Sequence, residues 1–296
     1  GASAVIVFNE GTPGRNEPVS ATLGPPQASV PALSASFALG EVLRGPGVTV
    51  ELATDMIAET RRTQNVIAES RTGRPDRLVV AGAHLDSVAR GPGINDNGSG
   101  SAMLLEVAEQ LAAMRPRNRL RFVWWGAEEI GLVGSRHYVE RLSPAARRQH
   151  ALYLNFDMVG SPNYVRFVYH GDGSGSPSNL IPPPGSTAIE RRFSGYFASR
   201  RIPYRELSLG GSSDHAPFAG AGIPFGGLFT GADGRKSAAQ ARAFGGRAGR
   251  AYDACYHQPC DTLANVNRTA LQRTAGAAAD AIRHFARSRS PIRSSG

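Results

Sequence analysis

Short apolar runs alternate with amphipathic stretches along most of the chain. Mainly apolar runs predict buried strands at residues 78–83, 120–127, 151–156 and 223–229. Helical periodicity predicts helices at residues 101–114, 133–142, 189–200 and 269–286, and the buried face of the first would carry Leu104, Leu105, Ala108, Leu111 and Ala112. Strands that alternate with helices are typical of a sheet covered on both faces. We therefore predict an α/β fold with three layers, αβα, and a mostly parallel mixed sheet.

The first 52 residues follow a different pattern. They predict strands at residues 4–8 and 48–52, and residues 30–36 lead from a Gly/Pro-rich loop into a short helix at residues 37–43. This β-rich segment resembles the C-terminal half of a protease-associated (PA) domain. We therefore divide the chain into a partial PA-like domain truncated at its N-terminus (1–60), a main domain (61–288) and a flexible tail (289–296).

Composition and charge narrow the range of partners. The hydrophobic content of 41% is typical of a globular protein. No apolar run approaches the ~20 residues that span a membrane. The net charge of +9 comes from scattered arginines without a nucleic-acid-binding motif. We expect neither a membrane nor a nucleic-acid partner, and we expect a monomer.

The two cysteines, Cys255 and Cys260, are separated by four residues. This spacing allows a short-loop disulfide, which we prefer and which indicates an oxidising, extracellular environment. A zinc site that uses these two cysteines is the alternative, although no second pair completes four ligands. We therefore expect a secreted protein whose signal peptide is not in this chain.

Polar side chains follow the predicted strand ends. The carboxyl ends of parallel strands share one edge of an α/β sheet, so residues far apart in sequence can converge there. Histidine, aspartate and glutamate together are suitable zinc ligands. The candidates are His84, Asp96, Glu128, Glu129, Asp157 and, between the cysteines, His257.

The adjacent Glu128 and Glu129 invite separate roles. Successive strand side chains point in opposite directions, so we expect one glutamate to bind a cation while the other faces a different partner. The other five candidates are too many ligands for one tetrahedral zinc ion with an open position. They suit two zinc ions if one carboxylate bridges both. A hydroxide shared by the two ions would balance their charge and attack the substrate. Glu128 is then free to move a proton, and Asp86 is placed to hydrogen-bond the far nitrogen of His84.

Five ordered motifs resemble the M28 family of zinc aminopeptidases, in particular the secreted aminopeptidases of Streptomyces type. The resemblance covers about residues 63–287 and implies the three-layer αβα zinc-peptidase fold. The motifs are His84-Leu85-Asp86-Ser87, Gly93-Ile94-Asn95-Asp96-Asn97-Gly98-Ser99-Gly100, Trp125-Gly126-Ala127-Glu128-Glu129-Ile130-Gly131, Asn155-Phe156-Asp157-Met158 and Cys255-Tyr256-His257.

The resemblance also implies roles for individual residues. Asp96 would bridge the two zinc ions, with His84 and Asp157 on one ion and Glu129 and His257 on the other. Glu128 would act as general base and then acid. Tyr256 would donate a hydrogen bond to the tetrahedral intermediate. A cis peptide bond between Asp96 and Asn97 is expected as well.

The implied activity is the hydrolysis of the N-terminal peptide bond of peptides and proteins. Glu128 and Asp157 can hold a free, cationic amino terminus, and Met158 and Phe229 would line a pocket for an apolar side chain such as leucine. The resemblance leaves room for calcium, but no motif indicates a calcium site.

Two departures from the family pattern matter. Ser212 stands where related enzymes carry an arginine that contacts substrate. The family's opening helices and first strand have no counterpart, so we expect a fragment of a longer protein. Two alternatives remain, a carboxypeptidase or dipeptidase on the same scaffold and a catalytically silent fragment.

Three other patterns have simpler interpretations. The adjacent residues Ser213, Asp214 and His215 cannot make the nested hydrogen bonds of a catalytic triad. Gly98-Ser99-Gly100 lacks the lysine of a phosphate-binding loop. The remaining histidines, among them His150 and His170, have no partner pattern and are expected at the surface.

Overall fold

The computed structural model describes residues 2–12, 15–18, 30–55, 59–174, 180–208 and 210–290. The chain divides into two compact units, Gly1–Arg62 and Thr63–Gly296. Parts of the predicted N-terminal turn (13–14), surface loop (175–179) and tail (291–296) lie outside the described residues.

The first unit contains a small parallel β-pair. β1 (Val5–Phe8) pairs with β2 (Ala32–Ala35), and α1 (Phe37–Leu43) follows directly. Ser36 caps that helix by accepting a hydrogen bond from the Leu39 N–H. The prediction of a strand at residues 48–52 is wrong, because the structure has no strand there. The apolar residues at these positions are 41–44% exposed and pair with no strand in the described part of the chain, so their alternation does not produce a half-buried strand. The PA resemblance of this segment stays a prediction.

The second unit is built from a larger sheet and helices. Its strands are β3 (Val66–Glu69), β4 (Arg74–His84), β5 (Asn118–Trp125), β6 (His150–Phe156), β7 (Phe167–Tyr169), β8 (Arg205–Leu207) and β9 (Phe225–Phe229). Its α-helices are α2 (Gly100–Leu111), α3 (Val133–Glu140), α4 (Pro144–Gln149), α5 (Ser186–Ser199), α6 (His215–Gly220), α7 (Ala238–Phe244) and α8 (Arg268–Arg287). An irregular turn spans Ile94–Ser99, and a 3₁₀ turn spans Leu263–Asn265.

Within the described residues the sheet has seven strands in the order β3-β5-β4-β6-β9-β7-β8. The central pairs β5–β4, β4–β6 and β6–β9 are parallel, and so is the edge pair β7–β8. Strand β3 is antiparallel to β5, and β7 is antiparallel to β9. The predicted mostly parallel mixed sheet is therefore confirmed.

Each central strand is buried on both faces, which explains its nearly continuous apolar sequence. On β4, Val79 and Ala81 pack on one face, whereas Leu78 and Val80 pack on the other. Helices α2, α5 and α8 cover the first face, and helices α3 and α6 cover the second. The predicted three layers follow from this two-sided burial.

The predicted buried face of helix α2 needs correction. Leu105 is 52% exposed and Ala112 is exposed, although Leu104 and Leu111 are buried as predicted. Met103 and Val107 complete the buried stripe. The spacing of 103, 104, 107 and 111 follows the helical repeat, whereas Leu105 lies about 100° away from Leu104 around the helix axis.

Among the described residues, no helix is both long and apolar enough to cross a membrane.

Candidate metal centre

The predicted polar residues meet at the carboxyl end of the sheet. Five of them line a cavity of about 570 Å³, and the sixth, His257, lies beside Asp96 and Glu129. Each arrives on a different connection: His84 ends β4, the two glutamates follow β5, and Asp157 follows β6. The parallel arrangement of β4, β5 and β6 brings these three ends together.

The first group of ligands surrounds the Nε2 atom of His84. This nitrogen lies 3.2 Å from Asp96 Oδ1 and 3.2 Å from Asp157 Oδ1. The His84 side chain is only 1% exposed, so the surrounding protein holds the imidazole in place. Three such atoms at this separation can hold one cation.

The second group surrounds the Nε2 atom of His257. This nitrogen lies 3.1 Å from Asp96 Oδ2 and 3.0 Å from Glu129 Oε2. Asp96 therefore directs one carboxylate oxygen to each group. A carboxylate with this placement is suited to bridge two cations.

Glu128 and Glu129 follow the strand instead of belonging to it. Strand β5 ends at Trp125, and Ala127 has a left-handed φ of 58°. Strand alternation therefore no longer applies, and both carboxyl groups line the cavity. The separate roles expected of the two glutamates therefore do not rest on strand alternation and stay a prediction.

Asp86 contributes differently from the predicted contact. The main-chain oxygen of Asp86 lies 3.0 Å from His84 Nδ1, whereas its carboxylate lies 3.8 Å away. The carboxylate instead accepts hydrogen bonds from the N–H groups of Glu128, at 2.9 Å, and Glu129, at 3.2 Å. Asp86 thus orients the histidine with its backbone and the paired glutamates with its side chain.

A buried polar chain that the sequence reasoning missed supports Asp157. The Ser213 hydroxyl donates to Asp157 Oδ2 at 2.7 Å, and Asn155 Nδ2 donates to Ser213 at 2.9 Å. Asn155 Nδ2 also donates to the Tyr169 hydroxyl at 3.0 Å. An asparagine inside an otherwise apolar strand was the available signal, because a buried amide needs partners. Ser213 is therefore engaged with Asp157, in agreement with the rejection of a Ser213-Asp214-His215 triad.

Asp261, also missed, supports the loop that carries Asp96. Its Oδ1 accepts from the Asn95 N–H at 2.9 Å, and its Oδ2 accepts from the Asp96 N–H at 3.0 Å. Asp261 is 1% exposed. The predicted cis peptide bond between Asp96 and Asn97 is present in this loop.

Tyr256 and His257 lie in the loop closed by the Cys255–Cys260 disulfide, which is present as predicted. The two rings stack with centroids 3.8 Å apart. Burial, reinforced by the carboxylates of Asp96 and Asp157, raises the pKa of Tyr256 well above its ordinary value. Its hydroxyl therefore stays protonated and remains a hydrogen-bond donor at neutral pH.

The predicted substrate residues line the same cavity. Met158 is 3% exposed, Phe229 is half-buried, and Ser212 is exposed. Phe167 stacks on Phe229 with centroids 6.1 Å apart. The apolar wall is therefore larger than predicted, and it also includes Tyr169, Leu207 and Tyr252.

The site brings several buried carboxyl groups close together, an arrangement that a positive charge would stabilise. Burial raises the pKa of Glu128 to about 10; His84 opposes this rise, and the carboxylates of Asp157 and Asp214 add to it. Burial alone would lower the pKa of His257, but Asp96 and Glu129 raise it to about 10. Histidines that carboxylates surround in this way attract either a proton or a metal cation.

The donor set fits zinc on a second observation. The Nε2 atom of His257 is buried and has no hydrogen-bond partner among the described residues, although two carboxylate oxygens lie within 3.1 Å. A buried nitrogen at this distance from two carboxylate oxygens can share a cation with them. Imidazole nitrogen together with carboxylate oxygen is a usual zinc ligand set.

A histidine–carboxylate cluster at this edge of an αβα fold is typical of metal-dependent hydrolases. The sequence matches the family model of Peptidase family M28 over residues 65–282. The chain belongs to peptidase family M28, and the predicted family is confirmed.

Known proteins agree with this assignment. An aminopeptidase of Pseudomonas aeruginosa is 49% identical over 275 residues, which cover 92% of this chain and 51% of that protein. Leupeptin-inactivating enzyme 1 of Streptomyces exfoliatus is 50% identical over 221 residues, which cover 74% of this chain and 47% of that protein. The chain thus spans about half the length of these curated relatives. The structure of a zinc aminopeptidase from Bacillus subtilis aligns with a TM-score of 0.68 at 25% identity, covering 99% of this chain and 66% of that one.

Proposed function

We propose that this chain carries the catalytic unit of a di-zinc aminopeptidase that hydrolyses the N-terminal peptide bond of peptides and proteins. The observation that carries this proposal is the pair of ligand groups that share the two oxygens of Asp96. The similarity to aminopeptidases of Pseudomonas aeruginosa and Bacillus subtilis supports it.

Five residues would hold the two ions. His84 and Asp157 would bind one ion, Glu129 and His257 would bind the other, and Asp96 would bind both. When bound, zinc supplies a Lewis acid and lowers the pKa of a water molecule to about 7.

Glu128 is the residue that would move the proton. Glu128 lines the cavity and has an oxygen near His84 and Glu129, but the two ligand groups that share Asp96 are complete without it. Burial raises the pKa of Glu128, and a bound cation would lower it toward the neutral range that suits a group that takes a proton from water and then delivers it to the departing amine.

Tyr256 would stabilise the oxygen that becomes negative when water adds to the scissile carbonyl. Its protonated hydroxyl can donate a hydrogen bond to that oxygen, and such a contact is strongest in the transition state. The disulfide loop fixes the position of this donor.

The two ends of the cavity differ in chemistry, which suits a free N-terminal residue. The carboxylates of Glu128 and Asp157 can hold the cationic amine. The first side chain can pack against Met158 and Phe229, which favours apolar residues such as leucine. We further propose that the enzyme acts outside the cell, where its disulfide would persist.

The test compares leucine p-nitroanilide with its N-acetylated twin, with and without a chelator. We expect cleavage of the free-amine substrate only, loss of activity with chelator and recovery with added zinc. Equal cleavage of the blocked substrate would contradict the aminopeptidase activity. Fewer than one zinc per chain after zinc supplementation would favour the silent fragment.

A dipeptidase is the second candidate because Arg205 lines the same cavity and can bind a free carboxylate. Comparison of a leucyl dipeptide with its C-terminal amide separates the two activities. An aminopeptidase cleaves both, whereas a dipeptidase requires the free carboxylate.

A further inference from the structure

A second histidine–carboxylate group lies away from the catalytic residues, where the chain leaves β7. His170 follows that strand directly, Asp172 lies in the next loop, and Glu190 projects from helix α5. His170 Nδ1 lies 3.7 Å from Asp172 Oδ1 and 3.9 Å from Glu190 Oε1. His170 was expected at the surface, but its side chain is only 15% exposed.

The three side chains of this group do not hydrogen-bond to one another through His170 Nδ1. Both nitrogen–oxygen distances exceed those of a hydrogen bond, which are about 2.7–3.2 Å. The Nδ1 atom is inaccessible to solvent and has no hydrogen-bond partner among the described residues. A buried polar nitrogen in that state is disfavoured unless something occupies the space in front of it.

The separation matches what a coordinated cation requires. Zinc binds nitrogen and carboxylate oxygen at about 2.0–2.2 Å, so neighbouring ligand atoms around it lie about 3.3–3.8 Å apart. The distances of 3.7 and 3.9 Å from His170 Nδ1 to the two carboxylate oxygens lie at or just above the upper end of this range, and all three ligand atoms lie within 4.8 Å of one another. Two carboxylates and a neutral imidazole also leave two negative charges, which a divalent cation would balance.

Other contacts fix the two carboxylates in place. Glu190 Oε2 accepts from the Gly171 N–H at 2.9 Å, so Oε1 is the oxygen turned toward His170. Asp172 Oδ1 accepts from the N–H and hydroxyl of Ser174 at 2.8 and 2.7 Å. Neither carboxylate forms an ion pair with an arginine or lysine within the described part of the chain.

We propose that His170, Asp172 and Glu190 bind one divalent cation of the zinc class, separate from the candidate active site. Asp172 is 44% exposed, so water can complete the coordination from that side. The ion would fasten the loop after β7 to helix α5. The preceding residue, Tyr169, contacts Asn155 and thereby the chain that supports Asp157. The proposal does not depend on the reaction catalysed at the active site.

The test counts zinc ions per chain after dialysis against buffered free zinc. The wild type is compared with Glu190→Gln, with Asp172→Asn, and with Glu109→Gln, an exposed control on helix α2. We expect Glu190→Gln to bind one ion fewer than the wild type and the control. Asp172→Asn, a change at a largely exposed side chain, should bind that ion at least tenfold more weakly in competition with a chelator.

Equal zinc counts and affinities in all four proteins would overturn the proposal. That result would mean that the three side chains lie beside one another without a bound cation. Asp172→Asn keeps the test valid if Glu190→Gln does not fold, because Asp172 lies in a surface loop. The number of zinc ions in the active site is the same in all four proteins, so it does not affect the difference in zinc count between them.

Discussion

Replacement of Asp261 by asparagine tests how the structure holds Asp96 in place. The two oxygens of the Asp261 carboxylate accept the consecutive N–H groups of Asn95 and Asp96, and Asn265 Nδ2 donates to the same carboxylate at 3.1 Å. Asparagine has almost the same shape but only one accepting oxygen. Its NH₂ group would face one of the two N–H groups.

The size of the effect follows from these contacts. A hydrogen bond to a charged group contributes about 1.5–3 kcal/mol, and a buried donor left without an acceptor costs about 1–3 kcal/mol. Part of the first contribution remains because one oxygen is kept. We therefore expect Asp261→Asn to lower the free energy of unfolding by about 3 kcal/mol.

The assay is urea unfolding of the metal-free protein, followed by the fluorescence of the buried residues Trp124 and Trp125. Asp76→Asn is the matched control because Asp76 is exposed and pairs only with Arg74 at the surface. Such a solvent-exposed pair contributes little to the free energy of unfolding. A loss of less than 1 kcal/mol in Asp261→Asn would refute the assigned role of the carboxylate.

Three further predictions address pH, the disulfide and the pocket. Burial lowers the pKa of His215 to about 4 in the folded state, whereas its value in the unfolded state is about 6.5. Between these two pH values His215 is protonated mainly in the unfolded state, so the free energy of unfolding should fall by about 3 kcal/mol from pH 6.5 to pH 4. His215→Phe should flatten this slope by up to about 1.4 kcal/mol per pH unit in urea unfolding, and an unchanged slope would contradict the assignment. The double change Cys255→Ser/Cys260→Ser should lower the free energy of unfolding by about 2 kcal/mol, because the disulfide joins residues only five positions apart. Reduction of the disulfide in the wild type should lower the thermal unfolding midpoint by the same amount as the double change. Phe229→Ala should lower kcat/KM for a leucyl substrate about tenfold relative to an alanyl substrate, whereas equal losses would remove Phe229 from the pocket.

The central part of the fold could be predicted because its sequence pattern is strong. The buried strands β4, β5 and β6 are nearly continuous apolar runs, and helix α8 has a clear alanine-rich stripe. The edge strands β3 and β8, and β7 beside β8, have three or four residues each and were missed. Strands this short are defined by their pairing partners, which a local pattern does not contain.

The candidate site could be predicted as a set of residues but not as a geometry. Residues at strand ends converge by topology, so His84 and Asp157 could be placed together in advance. The role of Asp261 depends on a contact across 165 positions of sequence with the Asp96 N–H. The orientation of Glu128 depends on the turn at Ala127, which ends the strand alternation. Long-range hydrogen bonds of this kind leave no periodic signal.

The most direct test of the account measures zinc content and turnover on the same preparations of Glu128→Gln and Glu129→Ala. We predict that Glu128→Gln keeps the wild-type zinc content and loses about 10²–10⁴-fold in turnover of leucine p-nitroanilide, because only the proton transfer is removed. Glu129→Ala should instead lose one zinc ion per chain. Loss of zinc from Glu128→Gln, or wild-type turnover by that variant, would contradict the separation of roles between the two glutamates.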